Sequence, residues 1–227
     1  TLCDLATEFS RYAASETLRD GFLPVRGGFR VGICGTAVMK EGVSTNLKSL
    51  SSAAVRIARE HKGIARDLAP RLFSDGAFVN TLILSPPGGG KTTLLREGIG
   101  PRRMALIDER GEVAVMVQGE PQMDVGPHTD VLDGCPKAVG IPMVLRAMNP
   151  QIIAVDEITV REDLRAMAMA AGCGVGLLAT IHAADVAELA QKPLYRQLLE
   201  ERVFRLAVRI TATAQAGRAY RLETLPC

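Results

Sequence analysis

From Ala77 onward, short apolar runs alternate with segments of helical periodicity. Val79–Leu84, Met104–Asp108, Gln151–Asp156 and Val175–Ile181 each read as a strand covered on both faces. Between and after them, Lys91–Gly98, Cys135–Met148, Val160–Ala171 and Ala184–Gln191 read as helices. Alternation of this kind implies a parallel sheet with helices on both faces. The third helix opens on Thr159-x-x-Glu162, the spacing of a capping box, and Leu164, Met167, Ala168 and Ala171 form its buried stripe. The N-terminal part has a different rhythm. Leu2, Leu5, Phe9 and Tyr12 recur at helical spacing, with Gly21 as a stop. Phe29–Ile33 alternates like a strand, Lys40-Glu41-Gly42 reads as a hairpin turn, and Val55–Arg59 alternates again. Residues 65–76 read as a helix leading into the second domain. The pattern predicts a small α+β domain with its linker helix over 1–76 and an α/β core over 77–227.

The first core strand feeds Ser85-Pro86-Pro87-Gly88-Gly89-Gly90-Lys91-Thr92-Thr93, and helix formers come next. This is a phosphate-binding P-loop between strand and helix. Glycines let backbone N–H groups converge on an anion, so the expected cradle is Pro87, Gly88, Gly89, Gly90, Lys91, Thr92 and Thr93. Lys91 reaches the β- and γ-phosphates, and the Thr92 hydroxyl holds Mg²⁺. Ser85 stands where the motif usually has its first glycine. Twelve residues separate Lys91 from Met104, short for a crossover that carries a full helix and a loop.

Three other strands end in polar groups. Ile152–Val155 runs into Asp156-Glu157. Beside a P-loop strand, Asp156 holds the metal and Glu157 orients the attacking water. A water-activating acid favours hydrolysis over transfer to a small acceptor, and no guanine-reading Asn/Thr-Lys-x-Asp is present after it, so ATP is the expected nucleotide. Leu106-Ile107 ends in Asp108-Glu109-Arg110, and Leu178–Ile181 ends in His182. Ligands of parallel sheets sit beyond the carboxyl ends of the strands, so all four tips are expected to face one nucleotide, with Thr180 or His182 sensing its γ-phosphate. The alternatives are a solvated strand end for Asp108 and Glu109 and a loop-capping role for His182.

Composition narrows the classes further. Hydrophobic residues make up 47% of 227, enough for a packed core. The net charge of +2, with aromatics at 4% and no tryptophan, gives no footprint for nucleic acid and no stacking platform. Cys3, Cys34, Cys135, Cys173 and Cys227 are scattered, without a zinc-like cluster, and are expected to be reduced thiols. The uncharged run Ala166–Ile181 is shorter than the ~20 residues a spanning helix needs. It reads as a helix end, a turn over Gly172–Gly176 and a buried strand, and the chain reads as soluble.

The ordered P-loop, acidic box, Asp-Glu strand and histidine box resemble the ATPases of type II and type IV secretion and pilus systems. More closely, the chain is similar to the stage III sporulation protein AA family. The stretches that carry this are Phe29–Gly32, Val55–Glu60, Asp108–Arg110, Pro121–Gly126, Thr129–Lys137 and Val155–Ile158. The resemblance implies a P-loop NTPase core of the RecA/AAA kind. It also implies a Mg²⁺-dependent ATPase that acts in a hexameric ring with ATP at subunit boundaries. Its partners would be membrane-embedded sporulation channel proteins, with no nucleic acid. It would sit in the mother-cell cytoplasm, peripheral to the membrane around the developing spore. By residue match, Glu157, Lys91, Glu109 and His182 take catalytic roles, and Thr92, Asp156 and Asp108 take the metal. Thr159-Val160 stand where the pattern has Gly-Arg, and His128 where it has arginine. Arg102, Arg103, Arg110 and Arg146 are candidates for an arginine acting across a subunit boundary. Two other functions compete with a motor or assembly ATPase: a nucleotide-gated scaffold with little turnover, and a nucleic-acid-associated ATPase.

Overall fold

A computed structural model describes residues 21–57, 63–97, 102–212 and 218–225. The expected helix around Leu2–Tyr12, the end of the Val55–Arg59 strand and the crossover near 98–101 lie outside these residues. The chain divides into two compact units, 1–60 with 114–123, and 61–113 with 124–227. Residues 63–76 thus belong with the larger unit and 114–123 with the smaller, unlike a division at residue 76.

The smaller unit is a meander of β1 (Phe22–Val25), β2 (Phe29–Lys40) and β3 (Val43–Ile57), in sheet order β1-β2-β3. The expected turn at Glu41-Gly42 joins the two long strands. Leu23, Val31 and Ile33 form its small core. The 114–123 segment supplies a short hairpin, held by Gly27 N–H donating to Gln122 Oε1 at 3.0 Å.

The larger unit opens with a 3₁₀ turn, Ala69–Leu72, and a hairpin of β4 (Phe73–Ser74) and β5 (Ala77–Phe78) instead of the expected helix over 65–76. Pro70 favours the first turn of a helix, and Asp75-Gly76 then reverses the chain with φ of 51° and 79°. Beyond it lies a seven-stranded sheet. Its strands are β6 (Thr81–Ser85), β7 (Met104–Asp108), β10 (Thr129–Asp133), β11 (Ile152–Val155), β12 (Gly176–His182), β13 (Leu206–Ala212) and β14 (Arg218–Thr224). The small-unit hairpin strands are β8 (Met116–Val117) and β9 (Glu120–Pro121). The sheet order is β10-β7-β11-β12-β6-β13-β14, parallel throughout except for β14.

Every residue of β6, β7 and β11 is buried, as their unbroken apolar runs require. One sheet face carries Leu82, Leu84, Ile107, Ile153, Val155 and Ile181 into a core with α2 (Lys137–Met148), α3 (Arg161–Gly172), α4 (Val186–Gln191) and α5 (Pro193–Glu200). The first helix after β6, α1, runs only from Lys91 to Arg96. Ala166–Ile181 divides into the end of α3, a turn and β12, and no helix among the described residues is long and apolar enough to cross a membrane. The start of α3 differs from the expected capping box by one residue. The Asp163 carboxylate, not Glu162, accepts from the N–H groups of Thr159 and Val160 at 3.2 and 3.3 Å. Cys34, Cys135 and Cys173 are free.

Candidate functional site

The sheet order corrects one expectation directly. The Asp-Glu strand β11 is not hydrogen-bonded to the P-loop strand β6, because β12 lies between them. Register then determines what meets what. His182 pairs with Ser85, which puts the histidine at the mouth of the P-loop. Val155 pairs with Ala179, so Thr180 stands beside Asp156. The Thr180 hydroxyl, fully buried, donates to Asp156 Oδ1 at 2.6 Å and accepts from Glu157 N–H at 3.0 Å. Thr180 therefore bridges the two acids, where its place at a strand tip suggested a γ-phosphate contact.

The P-loop closes on itself around the Pro86 carbonyl. Gly89 N–H donates to it at 3.2 Å, Ser85 Oγ at 2.8 Å and Lys91 Nζ at 3.3 Å. Pro86 and Pro87 have no N–H, so Pro87 adds no donor to the cradle expected of it. The amide of Gly89 is likewise turned inward. Gly88, Gly90, Lys91, Thr92 and Thr93 line the open side of a cleft of about 300 Å³. Gly90 caps α1 with φ 98°, a left-handed conformation that brings the loop into the helix.

Across the cleft, Thr92 Oγ1 donates to Asp156 Oδ2 at 3.2 Å. Lys91 is buried, and its ammonium also donates to Ser85 O at 3.0 Å and lies 2.7 Å from His182 Nδ1. An ammonium has no lone pair, so Nδ1 is the acceptor and the imidazole proton sits on Nε2. That nitrogen is 3.4 Å from Glu157 Oε1. Burial lowers the Lys91 pKa, and the charges of Asp156 and Glu157 oppose that shift. Glu157 has φ 32°, an uncommon conformation for a non-glycine residue and one that clusters at functional sites. Its other oxygen is 3.6 Å from Arg110 Nη1.

Two expected site residues do not reach this cleft. Asp108 ends β7, where the register that pairs Ile107 with Val155 sets it beside Asp156, but it is not among the residues that line the cleft. Its buried carboxylate accepts from the N–H groups of Glu112 and Val113 at 2.9 and 3.0 Å and so holds the loop after β7. Its carboxylate is thus engaged as a loop anchor. Glu109 pairs with the buried Lys137 at the start of α2, not with the P-loop. Arg102 donates to Gly76 O at 3.0 Å. Two residues that no sequence motif marks do line the cleft, Glu112 and Arg218. Glu112 is brought in by the loop that Asp108 anchors. Arg218 arrives from β14, 127 residues after Lys91, in a stretch without any local signal for it.

The donor set fits Mg²⁺ bound chiefly through phosphates and water, with Thr92 and Asp156 as the protein's contribution. Among the described residues no group of three or more His, Cys, Asp or Glu side chains is assembled for a metal.

Solved structures share this architecture. The chain superposes on the Legionella pneumophila ATPase DotB with TM-score 0.55 at 18% identity, covering 98% of this chain and 68% of that one. It superposes on the pilus retraction motor PilT, solved with bound ADP, with TM-score 0.57 at 18% identity, covering 96% and 70%. These likenesses and the sheet order establish a P-loop NTPase fold. In sequence, it is 38% identical over 208 residues to the stage III sporulation protein AA of Bacillus subtilis (strain 168), covering 87% of this chain and 67% of that protein. The model of the family described as sporulation stage III, protein AA, matches residues 2–222, and this chain belongs to that family.

Proposed function

We propose that the chain is a Mg²⁺-dependent ATPase that drives or assembles a sporulation-specific secretion or channel apparatus. It works as a homo-oligomeric ring, hexameric by analogy with the secretion ATPases it resembles, against membrane-embedded partners on the mother-cell side. The observation that carries this reading is the meeting of Thr92 with Asp156 across the P-loop cleft, with Glu157 next in sequence. Lys91 and the amides of Gly88, Gly90 and Thr92 bind the triphosphate. Thr92 and Asp156 hold Mg²⁺, which when bound neutralises charge on the phosphate oxygens. Glu157 orients water for attack on the γ-phosphorus. Thr180 keeps Asp156 and the Glu157 amide in register. His182 links Lys91 to Glu157, so displacement of Lys91 toward phosphate changes what Glu157 is paired with.

Steady-state phosphate release from wild type, Lys91→Ala and Glu157→Gln tests the reading. Loss of turnover in both variants, with nucleotide binding kept in Glu157→Gln, is expected. Equal turnover in all three excludes it. A second reading, a nucleotide-gated scaffold, is favoured by the engagement of Glu157 with Arg110 and His182. It predicts tight ATP binding with negligible phosphate release from the wild type as well.

A further inference from the structure

The cleft contains a cation that the P-loop chemistry leaves unused. β13 runs parallel to β6 with Arg209 opposite Leu84, so Ala212 lies about 10 Å beyond that level, past the end of β6. β14 returns antiparallel with Arg218 opposite Ala212, which places Arg218 over the point where the P-loop leaves the sheet. The side chain comes down on Gly90. A Cβ built there would lie 2.6 Å from the Arg218 Cζ and 2.9 Å from Nε and Nη1. The guanidinium is therefore packed against the backbone immediately before Lys91, inside the cleft that Thr92, Asp156 and Glu157 also line.

We infer that Arg218 binds the phosphate chain of the nucleotide from within the same subunit, as a second cation beside Lys91. The inference rests on the ATP-binding reading above and adds a residue to it. Two observations and the chemistry of the side chain carry it. Among the described residues, Arg218 has no carboxylate partner within ion-pair distance, although Glu112, Asp156 and Glu157 line the same cleft. An arginine placed to be neutralised by the protein would have taken one of these. The Lys91 ammonium is shared among Ser85 O, Pro86 O and His182, and a triphosphate carries more charge than one lysine offsets. A guanidinium presents its N–H donors as a planar fork that matches phosphate oxygens. Gly90 thus combines a φ of 98°, which favours glycine, with the space in which the Arg218 guanidinium sits.

The test is equilibrium binding of Mg-ATP, and of inorganic tripolyphosphate by competition, to wild type, Arg218→Ala, Arg218→Gln and Arg218→Lys. A charge-assisted contact predicts that the alanine and glutamine variants bind both ligands about tenfold to a hundredfold more weakly. Lysine should recover part of the loss, and the gap from wild type should narrow as salt rises. Melting temperatures without nucleotide should stay together, which a merely structural arginine would not give. If alanine impairs folding, glutamine decides, since it keeps much of the side-chain volume and removes the charge. Wild-type affinity in the neutral variants overturns the inference. So does a loss confined to ATP with tripolyphosphate unaffected, which would move Arg218 to the base or ribose. A wild type that takes up no Mg-ATP removes the ATPase reading and this inference together. Uptake abolished by Lys91→Ala but untouched by Arg218→Gln removes the inference alone.

Discussion

Replacing Gly89 by alanine tests how the P-loop is packed. Gly89 is outside the left-handed region, so an alanine there meets no backbone penalty and its effect is steric. Its Cβ would fall 2.1 Å from Ser85 Oγ, 2.7 Å from Ser85 Cβ and 3.1 Å from Pro86 O. Rotating Ser85 about χ1 relieves the first contact and leaves the second, because Cβ is fixed by the strand. Ser85 is fully buried and cannot step aside. Overpacking of this kind costs about 1–3 kcal/mol. Ser85→Gly, which restores the usual glycine of the motif, removes both atoms in the way. The pair therefore forms a double-mutant cycle. Gly89→Ala alone should lower stability by about 1–3 kcal/mol and weaken nucleotide binding, and the double variant should recover most of both. Urea denaturation and Mg-ATP titration on the four proteins give the coupling. Additive effects, with no recovery in the double variant, would refute the claim that Ser85 and Gly89 are packed against each other.

Thr180→Val removes the hydroxyl between Asp156 Oδ1 and the Glu157 N–H, leaving them only their own 3.2 Å contact, and should cost about 1–3 kcal/mol by chemical denaturation, with Thr180→Ser near wild type. Asp163→Ala removes the acceptor for two amides at the start of α3 and should cost about 1 kcal/mol. Glu162→Ala should leave the denaturation midpoint within error, the reverse of what a Thr159-Glu162 capping box requires. Burial holds the Lys91 pKa below its usual value. Between the folded and unfolded pKa the unfolded chain binds the extra proton, so this effect makes stability rise with pH. Wild type should therefore gain stability relative to Lys91→Met as pH climbs through the lowered pKa toward the usual lysine value, and parallel curves in alkaline urea titrations would remove the buried charge from consideration.

The core strands were legible because burial on both faces leaves an unbroken apolar run. Met104–Asp108 has the expected bounds, and Gly176–His182 is displaced by one residue. Segments whose form depends on partners were less so. Residues 65–76 contain enough apolar positions to read as a helix, yet Asp75-Gly76 is a hairpin signal, and Phe73 and Phe78 pack edge to face across the turn it makes. β13 and the edge strand β14 are marked by no motif, and the pairing of β13 with β6 spans more than 120 residues.

The site divides along the same line. Lys91, Thr92, Asp156, Glu157 and His182 were readable because each sits at or next to the end of an apolar strand or at the start of the helix that follows its loop, and local pattern locates such ends. Which ends converge is a property of strand order, and that order places β12 between β11 and β6. Asp108, equally acidic and equally terminal, stands beside Asp156 on the neighbouring strand, yet its carboxylate accepts from the amides of Glu112 and Val113 and serves their loop. Thr180, on the intervening strand, becomes the residue that connects Asp156 to the Glu157 amide. The sequence also misstates the charge of the cleft. Its motifs contribute Asp156 and Glu157 against Lys91 alone, while the fold adds Glu112 on one side and Arg218 on the other. Carboxylates at Glu112, Asp156 and Glu157 oppose a bare triphosphate more than one that arrives with a divalent cation. The acids at the end of β11 and in the β7 loop thereby favour the metal complex of a nucleotide over the free form, which is the selection that the proposed hydrolysis requires.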